Sequence, residues 1–177
     1  MRYLILILIL AIGCKEGGDD ATQPKQYYFA AETDGEQWRV STVGQRYFGA
    51  RYDDVKRRFT ISVAGYDQDT GTRTTGVIIS FDFLPRLGRY YFNNTGSVQP
   101  DSGVIGTYLY RRNGAERAKW STSGYVDIES FTRDEMKGSF LFASRGDATD
   151  STVSVTQSGS FYVPYGGGGG SVQWTGP

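Results

Sequence analysis

The chain contains no histidine and one cysteine, and these two counts restrict its chemistry more than any motif does. Without histidine there is no imidazole base to activate a serine or cysteine nucleophile. Zinc sites built on histidine or on several cysteines are excluded for the same reason. The residues that remain as candidates are carboxylates, the thiol of Cys14 and exposed aromatic rings. None of them calls for a bound cofactor, and we predict none.

Asp127 and Glu129 are the carboxylates with the most suggestive spacing. They lie two positions apart in a segment with strand-like alternation, which places both side chains on one face. A pair of carboxylates can hydrolyse glycosides when their separation fits and one of them has a raised pKa. Solvated positions on the outside of a strand explain the same residues equally well. We therefore predict a protein that is not an enzyme, with a carboxylate-based glycosidase as an alternative.

Asp67, Asp69 and Gly71 have the spacing that begins a calcium-binding loop. The next acidic ligand and the later glutamate of such a loop are missing, although a calcium ion needs six or more oxygen ligands. The segment also falls where two predicted strands must be connected. We expect a hydrated turn here, and the sequence predicts no metal site.

Three tyrosines are better candidates for ligand binding. Tyr28, Tyr125 and Tyr162 fall, by the two-residue period of a strand, on faces opposite the apolar residues. Aromatic rings exposed on a sheet can stack on sugars, although cross-strand aromatic pairs also stabilise sheets that bind nothing. We assign these three residues to a possible ligand face.

The start of the chain has the layout of an export signal. Arg2 supplies a positive charge, and residues 4–12 are nine consecutive apolar residues. Nine are too few for a membrane-spanning helix, which needs about 20. A short apolar segment after a basic start is typical of a signal peptide, which we assign to residues 1–13.

The four residues Ala11–Cys14 resemble a bacterial lipobox, in which the signal is cut before the cysteine and the thiol is acylated. We accordingly predict cleavage between Gly13 and Cys14 and lipidation of Cys14. Because it is the only cysteine, no disulfide competes for this thiol. Several acyl chains on one residue anchor a protein firmly, whereas a single chain is marginal.

Residues 14–25 follow as a polar, acidic tether. The run Lys15–Asp20 has no apolar side chain and resembles the tether of Bacteroidota lipoproteins that reach the cell surface. We predict an outer-membrane protein, anchored through its N-terminal lipid and exposed at the cell surface, with the inner face of that membrane as the alternative. Nucleic acid is not an expected partner, because 19 acidic residues balance 19 basic ones.

The remaining chain predicts short strands joined by turns. It is rich in glycine and aromatic residues, and no window repeats apolar residues with the helical period of 3.6. Residues 26–165 have the length of one domain. We predict an antiparallel β-sandwich of about nine or ten strands, with a closed, lipocalin-like barrel as the alternative. Residues 166–177 begin with five glycines and predict a flexible tail.

The patterns also fix strand registers. Asp34-Gly35 is a strong signal for a two-residue type I′ hairpin turn, and apolar alternation orients the other pairs. The predicted pairs are Phe29 with Val40, Ala31 with Trp38, Ile61 with Phe81, Val63 with Ile79, Val126 with Phe140, Ile128 with Gly138, and Ser130 with Met136.

Several of these segments resemble a family of Bacteroidota lipoprotein domains of unknown function. The resemblance covers nearly all of residues 27–165 and rests on four motifs. These are Asp34-Gly35-x-x-Trp38, the segment Leu87–Tyr90, the paired segments Ser123–Ile128 and Met136–Phe142, and the closing segment Gly159–Tyr165. It implies an all-β lipoprotein domain and carries over no catalytic residue.

The sequence as a whole predicts a lipid-anchored outer-membrane or cell-surface lipoprotein that acts as a non-enzymatic binding or accessory module. Its expected partners are the membrane, through the lipid, and a glycan or another envelope protein. A structural envelope lipoprotein and a glycan-active enzyme that uses carboxylates are the alternatives.

Overall fold

The computed structural model describes residues 25–40, 48–66, 73–92, 103–112, 114–145 and 155–166. In these ranges the chain forms ten strands and no helix. They are β1 (Tyr28–Thr33), β2 (Glu36–Val40), β3 (Gly49–Asp53), β4 (Arg58–Tyr66), β5 (Arg73–Phe81), β6 (Gly88–Tyr91), β7 (Val104–Arg112), β8 (Ala115–Phe131), β9 (Glu135–Arg145) and β10 (Val155–Pro164). The signal peptide, Cys14, most of the tether, the calcium-like segment and the tail after Gly166 lie outside the described residues.

All ten strands belong to one antiparallel sheet, which curls into a half-barrel. The strand order is β2-β1-β10-β9-β8-β7-β5-β4-β3. β8 is 17 residues long and pairs with β7 along its first part and with β6 along its second. The prediction of an all-β antiparallel fold with nine or ten strands is confirmed. Because the single sheet curls, its two halves face each other, as the two separate sheets of the predicted sandwich would.

The chain after β10 closes one end of the half-barrel. Tyr165 forms a parallel bridge with Ala50 of β3, and the N–H of Gly166 donates to the Ala50 carbonyl oxygen at 2.9 Å. The Tyr165 ring stacks on Phe59, with 5.8 Å between ring centroids, and meets Phe131 edge-on at 5.1 Å. We call these three rings, Phe59, Phe131 and Tyr165, the aromatic plug.

The β1–β2 hairpin has the predicted turn and register. Asp34 and Gly35 both have positive φ, +48° and +85°, as a type I′ turn requires. Phe29 pairs with Val40 and Ala31 with Trp38, as predicted.

The predicted register of β4 and β5 is wrong by two residues. Ile61 pairs with Ile79 and Val63 with Val77, instead of with Phe81 and Ile79. A shift of two residues preserves the faces, so the same side chains still enter the core. The strands extend further toward each other than predicted, to Tyr66 and Arg73, and their connection has no turn dipeptide to fix the register.

The β8–β9 hairpin is correct except near its turn. Val126 pairs with Phe140 and Ile128 with Gly138, as predicted. The predicted pair of Ser130 with Met136 is wrong, because a bulge between Ile128 and Ser130 adds one residue to β8. Met136 therefore lies opposite Phe131.

The core fills the concave side of the sheet with aromatic and branched side chains. Along β9 and β10 alternate residues are buried, and the residues between them face outward. The largest fully buried side chains include Phe29, Phe59, Phe81, Phe142, Phe161, Ile61, Ile79 and Met136. This alternation also determines which side chains reach the outer surface.

Candidate functional site

The outer surface of β2, β1, β10, β9 and β8 carries all three predicted tyrosines. Phe29 and Phe161 point into the core, so their neighbours Tyr28 and Tyr162 face outward. Tyr125 is outward for the same reason, next to the buried Val126. We call this surface the tyrosine face. Its members are Tyr28, Ala30, Glu32, Gln37, Arg39, Tyr125, Asp127, Lys137, Ser139, Leu141, Ser158, Ser160 and Tyr162.

Tyr28 and Tyr162 form one cluster with Tyr27. Tyr28 and Tyr162 are paired across β1 and β10, and their rings meet edge-on with centroids 6.5 Å apart. The ring of Tyr27 lies 5.1 Å from that of Tyr162. All three side chains are half-buried, so each keeps part of its ring accessible.

Glu135 fixes the orientation of the Tyr162 ring. The Tyr162 hydroxyl donates to Glu135 Oε2 at 2.7 Å, and Lys25 Nζ lies 2.6 Å from the same oxygen. These two donors lower the pKa of Glu135, with the Lys25 hydrogen bond as the larger cause. The hydrogen bond that the Tyr162 hydroxyl donates to Glu135 raises the pKa of Tyr162, because it favours the protonated hydroxyl. The ring is thereby held from its polar end while its apolar surface stays available.

Tyr125 belongs to a second cluster. The Arg89 guanidinium lies over its ring, 3.9 Å from the centroid. Arg89 also donates to both carboxylate oxygens of Asp127, from Nε at 2.8 Å and from Nη2 at 2.7 Å. One face of the Tyr125 ring is therefore already occupied by a cation–π contact.

The two clusters are separate. Tyr162 lies opposite Lys137 of β9, whereas Tyr125 lies opposite Leu141 of the same strand. Tyr162 and Tyr125 are thus two strands and four residues apart, about 10 Å across the sheet and about 13 Å along it. The structure brings Tyr28 and Tyr162 together and leaves Tyr125 apart.

A shallow groove with a volume of about 500 Å³ lies beside Tyr28, over β2, β1 and β10. Its floor is formed by the small side chains of Ala30, Ser158 and Ser160. Glu32, Gln37 and Arg39 also line the groove. The Arg39 guanidinium lies 4.9 Å from the centroid of the Tyr28 ring and joins the groove to the tyrosine cluster. We call this the serine groove.

Sequence reasoning missed the serine groove because its floor comes from strands at opposite ends of the chain. Thr33 of β1 and Gln157 of β10 are 124 positions apart, yet they are paired. The available signal was the recurrence of small residues at outward positions of β10, in Ser158-Gly159-Ser160. That signal becomes a groove only when the neighbouring strand is known.

Asp127 and Glu129, the predicted carboxylate pair, each bind a different cation. Asp127 is bound by Arg89, which lowers the pKa of its carboxyl group, while a glycosidase acid needs a raised pKa. Glu129 makes its own ion pair, with Lys137 Nζ at 3.0 Å. Each carboxylate is thus committed to a separate cation.

No family model, curated protein or solved structure matches this chain.

The described residues show neither a candidate metal site nor a candidate membrane-spanning helix. In that part of the chain, no group of three His, Cys, Asp or Glu side chains converges as metal ligands would. The same residues include no helix long and apolar enough to cross a membrane.

The geometry of the tyrosine face suits recognition of an uncharged, hydroxyl-rich ligand. The Tyr27, Tyr28 and Tyr162 rings offer apolar surface at one end of the serine groove. Along the groove, Glu32 supplies hydrogen-bond acceptors, Arg39 supplies donors, and the serine hydroxyls supply both. Apolar surface combined with a few placed polar groups is the usual composition of a small-molecule site.

Proposed function

We propose that this protein is a lipid-anchored module of the outer membrane or cell surface that binds a glycan on its tyrosine face. The observation that carries the proposal is the position of Tyr28 and Tyr162, whose adjoining rings lie beside the serine groove. Lipidation of Cys14 and the Bacteroidota lipoprotein resemblance are parts of the same proposal.

The chemistry of the groove favours sugars over apolar ligands. A sugar presents C–H groups on one side, which pack against an aromatic ring, and hydroxyl groups around its edge. The serine groove provides matching partners, because Tyr28 lies at its end and Glu32 and Arg39 lie along it. One carboxylate and one guanidinium leave no net charge, so a neutral sugar chain fits better than an acidic one.

The lowered pKa values of the carboxylates favour a binding role over a hydrolytic one. The pKa of Asp127 and the pKa of Glu135 are both lowered, each because a cation donates a hydrogen bond to the carboxylate. Neither group is set up to donate a proton near neutral pH. The groups on the tyrosine face thus favour ligand binding, and we assign no reaction to it.

A lipid anchor at Cys14 would join the domain on the side of the tyrosine cluster. Lys25, at the start of the described chain, is held by Glu135 next to the tyrosine cluster. A glycan on the tyrosine face would therefore be held close to the surface that carries the lipid.

A glycan array tests the proposal, using the domain from Lys25 onward without its lipid. We expect the parent domain to retain a neutral oligosaccharide, and Tyr28→Ala to weaken that retention about tenfold or more, as for loss of a binding hot spot. Its melting temperature should stay within about two degrees of the parent, because Tyr28 is only half-buried.

Leu87→Ala is the matched control. It truncates another exposed apolar side chain, one that lies outside the tyrosine face, and should leave retention unchanged. Equal retention by the parent and by Tyr28→Ala would refute the assigned face. Failure of the parent to retain any neutral glycan would instead favour the structural envelope lipoprotein.

A further inference from the structure

A second groove lies on another part of the outer surface, over β3, β4, β5, β7 and the start of β8. Its volume is about 340 Å³, and it shares no residue with the tyrosine face. Arg51, Lys56 and Arg58 supply three cations to its lining, and Trp120 supplies an indole ring. We call it the basic groove.

Local sequence explains why these side chains converge. Ala50 and Phe59 are buried, so Arg51 and Arg58 next to them face outward on β3 and β4. Arg51 pairs with Thr60 across the two strands. On the other side of the groove, Thr107 of β7 pairs with Trp120 of β8. Uncharged side chains lie between the arginines and the indole, namely Thr60, Ile78, Ser80, Ile105 and Thr107.

The cations of the basic groove are available to a ligand. Within the described part of the chain, no ion pair involves Arg51, Lys56 or Arg58. Two carboxylates also line the groove, Asp53 and Asp82. Asp53 Oδ1 accepts a hydrogen bond from the backbone N–H of Lys56 at 3.0 Å, so it takes part in closing the β3–β4 turn. The lining has an excess of positive charge, unlike the balanced serine groove.

We propose that the basic groove is a second binding site and that it takes an acidic sugar chain. Carboxylate or sulfate groups of the chain pair with Arg51 and Arg58, whose planar guanidinium groups bind such oxyanions in bidentate fashion. A sugar ring of the same chain packs against Trp120, since aromatic side chains supply much of the apolar contact in binding sites.

The dimensions of the groove select a chain over a single anion. Arg58 on β4 and Trp120 on β8 are separated by three strand spacings, about 14 Å across the sheet, and by four residues, about 13 Å along it. A small inorganic anion could reach the arginines or the indole, but not both. A linear acidic oligosaccharide lying diagonally across the strands reaches both at once.

The test measures binding of the domain from Lys25 onward to polygalacturonate, dextran sulfate and uncharged dextran. We expect binding to at least one acidic chain, none to dextran, and weakening as salt is added. The double variant Arg51→Gln/Arg58→Gln should bind about tenfold or more weakly, since two charge-assisted contacts are lost. Trp120→Ala should weaken binding by a similar factor. Comparison of the two acidic chains shows whether carboxylate or sulfate is preferred.

Arg86→Gln/Arg133→Gln is the matched control, because it removes the same charge from two exposed positions outside both grooves. It should bind within about twofold of the parent. Arg51→Gln alone serves if the double variant does not fold, as judged by its melting curve. Tyr28→Ala should bind the acidic chain like the parent. The proposals for the tyrosine face and for the basic groove can therefore be refuted independently of each other.

Three results would overturn the proposal. One is absence of binding to both acidic chains, and another is equal loss in the Arg86/Arg133 control, which would indicate general charge attraction. The third is binding to phosphatidylglycerol vesicles without binding to either polysaccharide, which would assign the basic groove to a membrane surface.

Discussion

Glu135 is the residue on which the tyrosine cluster depends for its orientation. Its carboxylate accepts hydrogen bonds from Lys25 and Tyr162, and these lower its pKa. A carboxyl group with a lower pKa in the folded chain stabilises the fold above its unfolded pKa, about 4.3. That contribution is lost as the pH falls through the folded value.

We therefore expect Glu135→Gln to lower the free energy of unfolding at pH 7 by about 1 kcal/mol. The variant should also lose less stability than the parent between about pH 4.5 and pH 3. Urea denaturation of both proteins across this range measures the difference. Glu129→Gln is the control, because its ion pair with Lys137 is more exposed and should contribute little. Parallel pH profiles for the parent and Glu135→Gln would contradict this role.

Substitution of Tyr162 can distinguish the contribution of its ring from that of its hydroxyl group. Tyr162→Phe removes the hydrogen bond to Glu135 and keeps the contacts with Tyr27 and Tyr28. We expect a loss of about 1 kcal/mol in unfolding free energy and glycan retention within a few-fold of the parent. If retention falls as far as in Tyr28→Ala, the hydroxyl and not the ring is the contact that matters. Array retention and urea denaturation of the same preparation decide this.

At the scale of elements, the sequence predicts best where a turn and an apolar pattern agree. Asp34-Gly35 set the β1–β2 register correctly, because both residues tolerate the positive φ that the turn needs. The β4–β5 register failed since its connection has no such dipeptide. The bulge after Ile128 was missed, although the apolar residues change parity there: Val126 and Ile128 are two residues apart, and Phe131 follows three residues later.

Two strand segments had no usable pattern. The inward positions of the first part of β8 include Lys119 and Ser121, both buried although polar. Ser121 Oγ accepts a hydrogen bond from the buried N–H of Gly106 at 3.0 Å, so its burial is satisfied by a partner on another strand. β3 is short and places only Ala50 and Tyr52 inward. Both segments can be recognised only from their neighbours.

Gly138, on β9, has no space for a side chain. A Cβ atom added there would overlap the Asp127 carbonyl oxygen and approach Cζ of Phe161 to 2.6 Å. The backbone oxygen cannot move without disturbing the β8–β9 ladder. We expect Gly138→Ala to destabilise the fold by about 2 kcal/mol or more, measured by urea denaturation. Ser139→Ala, at the next and outward position, should change stability by about 0.5 kcal/mol or less.

For the whole molecule, strand parity was enough to place the candidate tyrosines outward, but not to say which of them meet. Tyr28 and Tyr162 adjoin because β1 pairs with β10, and Tyr125 is distant because β9 lies between β10 and β8. Neither relation is encoded locally. Both grooves depend on the strand order in the same way, so their existence could not be derived from any single segment.

The proposed lipid anchor of the protein depends on Cys14 alone. Cys14→Ala should abolish labelling by radioactive palmitate, because the chain has no other thiol. The variant should also remain uncleaved and leave the detergent-soluble membrane fraction. Unchanged labelling would refute the lipoprotein assignment.

The bridge between Tyr165 and Ala50 and the pairing of β1 with β10 give this fold a high contact order. Topologies dominated by non-local pairing fold slowly, in milliseconds to seconds. A chain that emerges N-terminus first exposes the edge of the β1–β2 hairpin until the last strand arrives. The first nine strands can therefore neither complete the sheet nor set the aromatic plug by themselves. Any chain released before Tyr165 is synthesised is left with unpaired strand edges, which makes it a substrate for proteases and for aggregation.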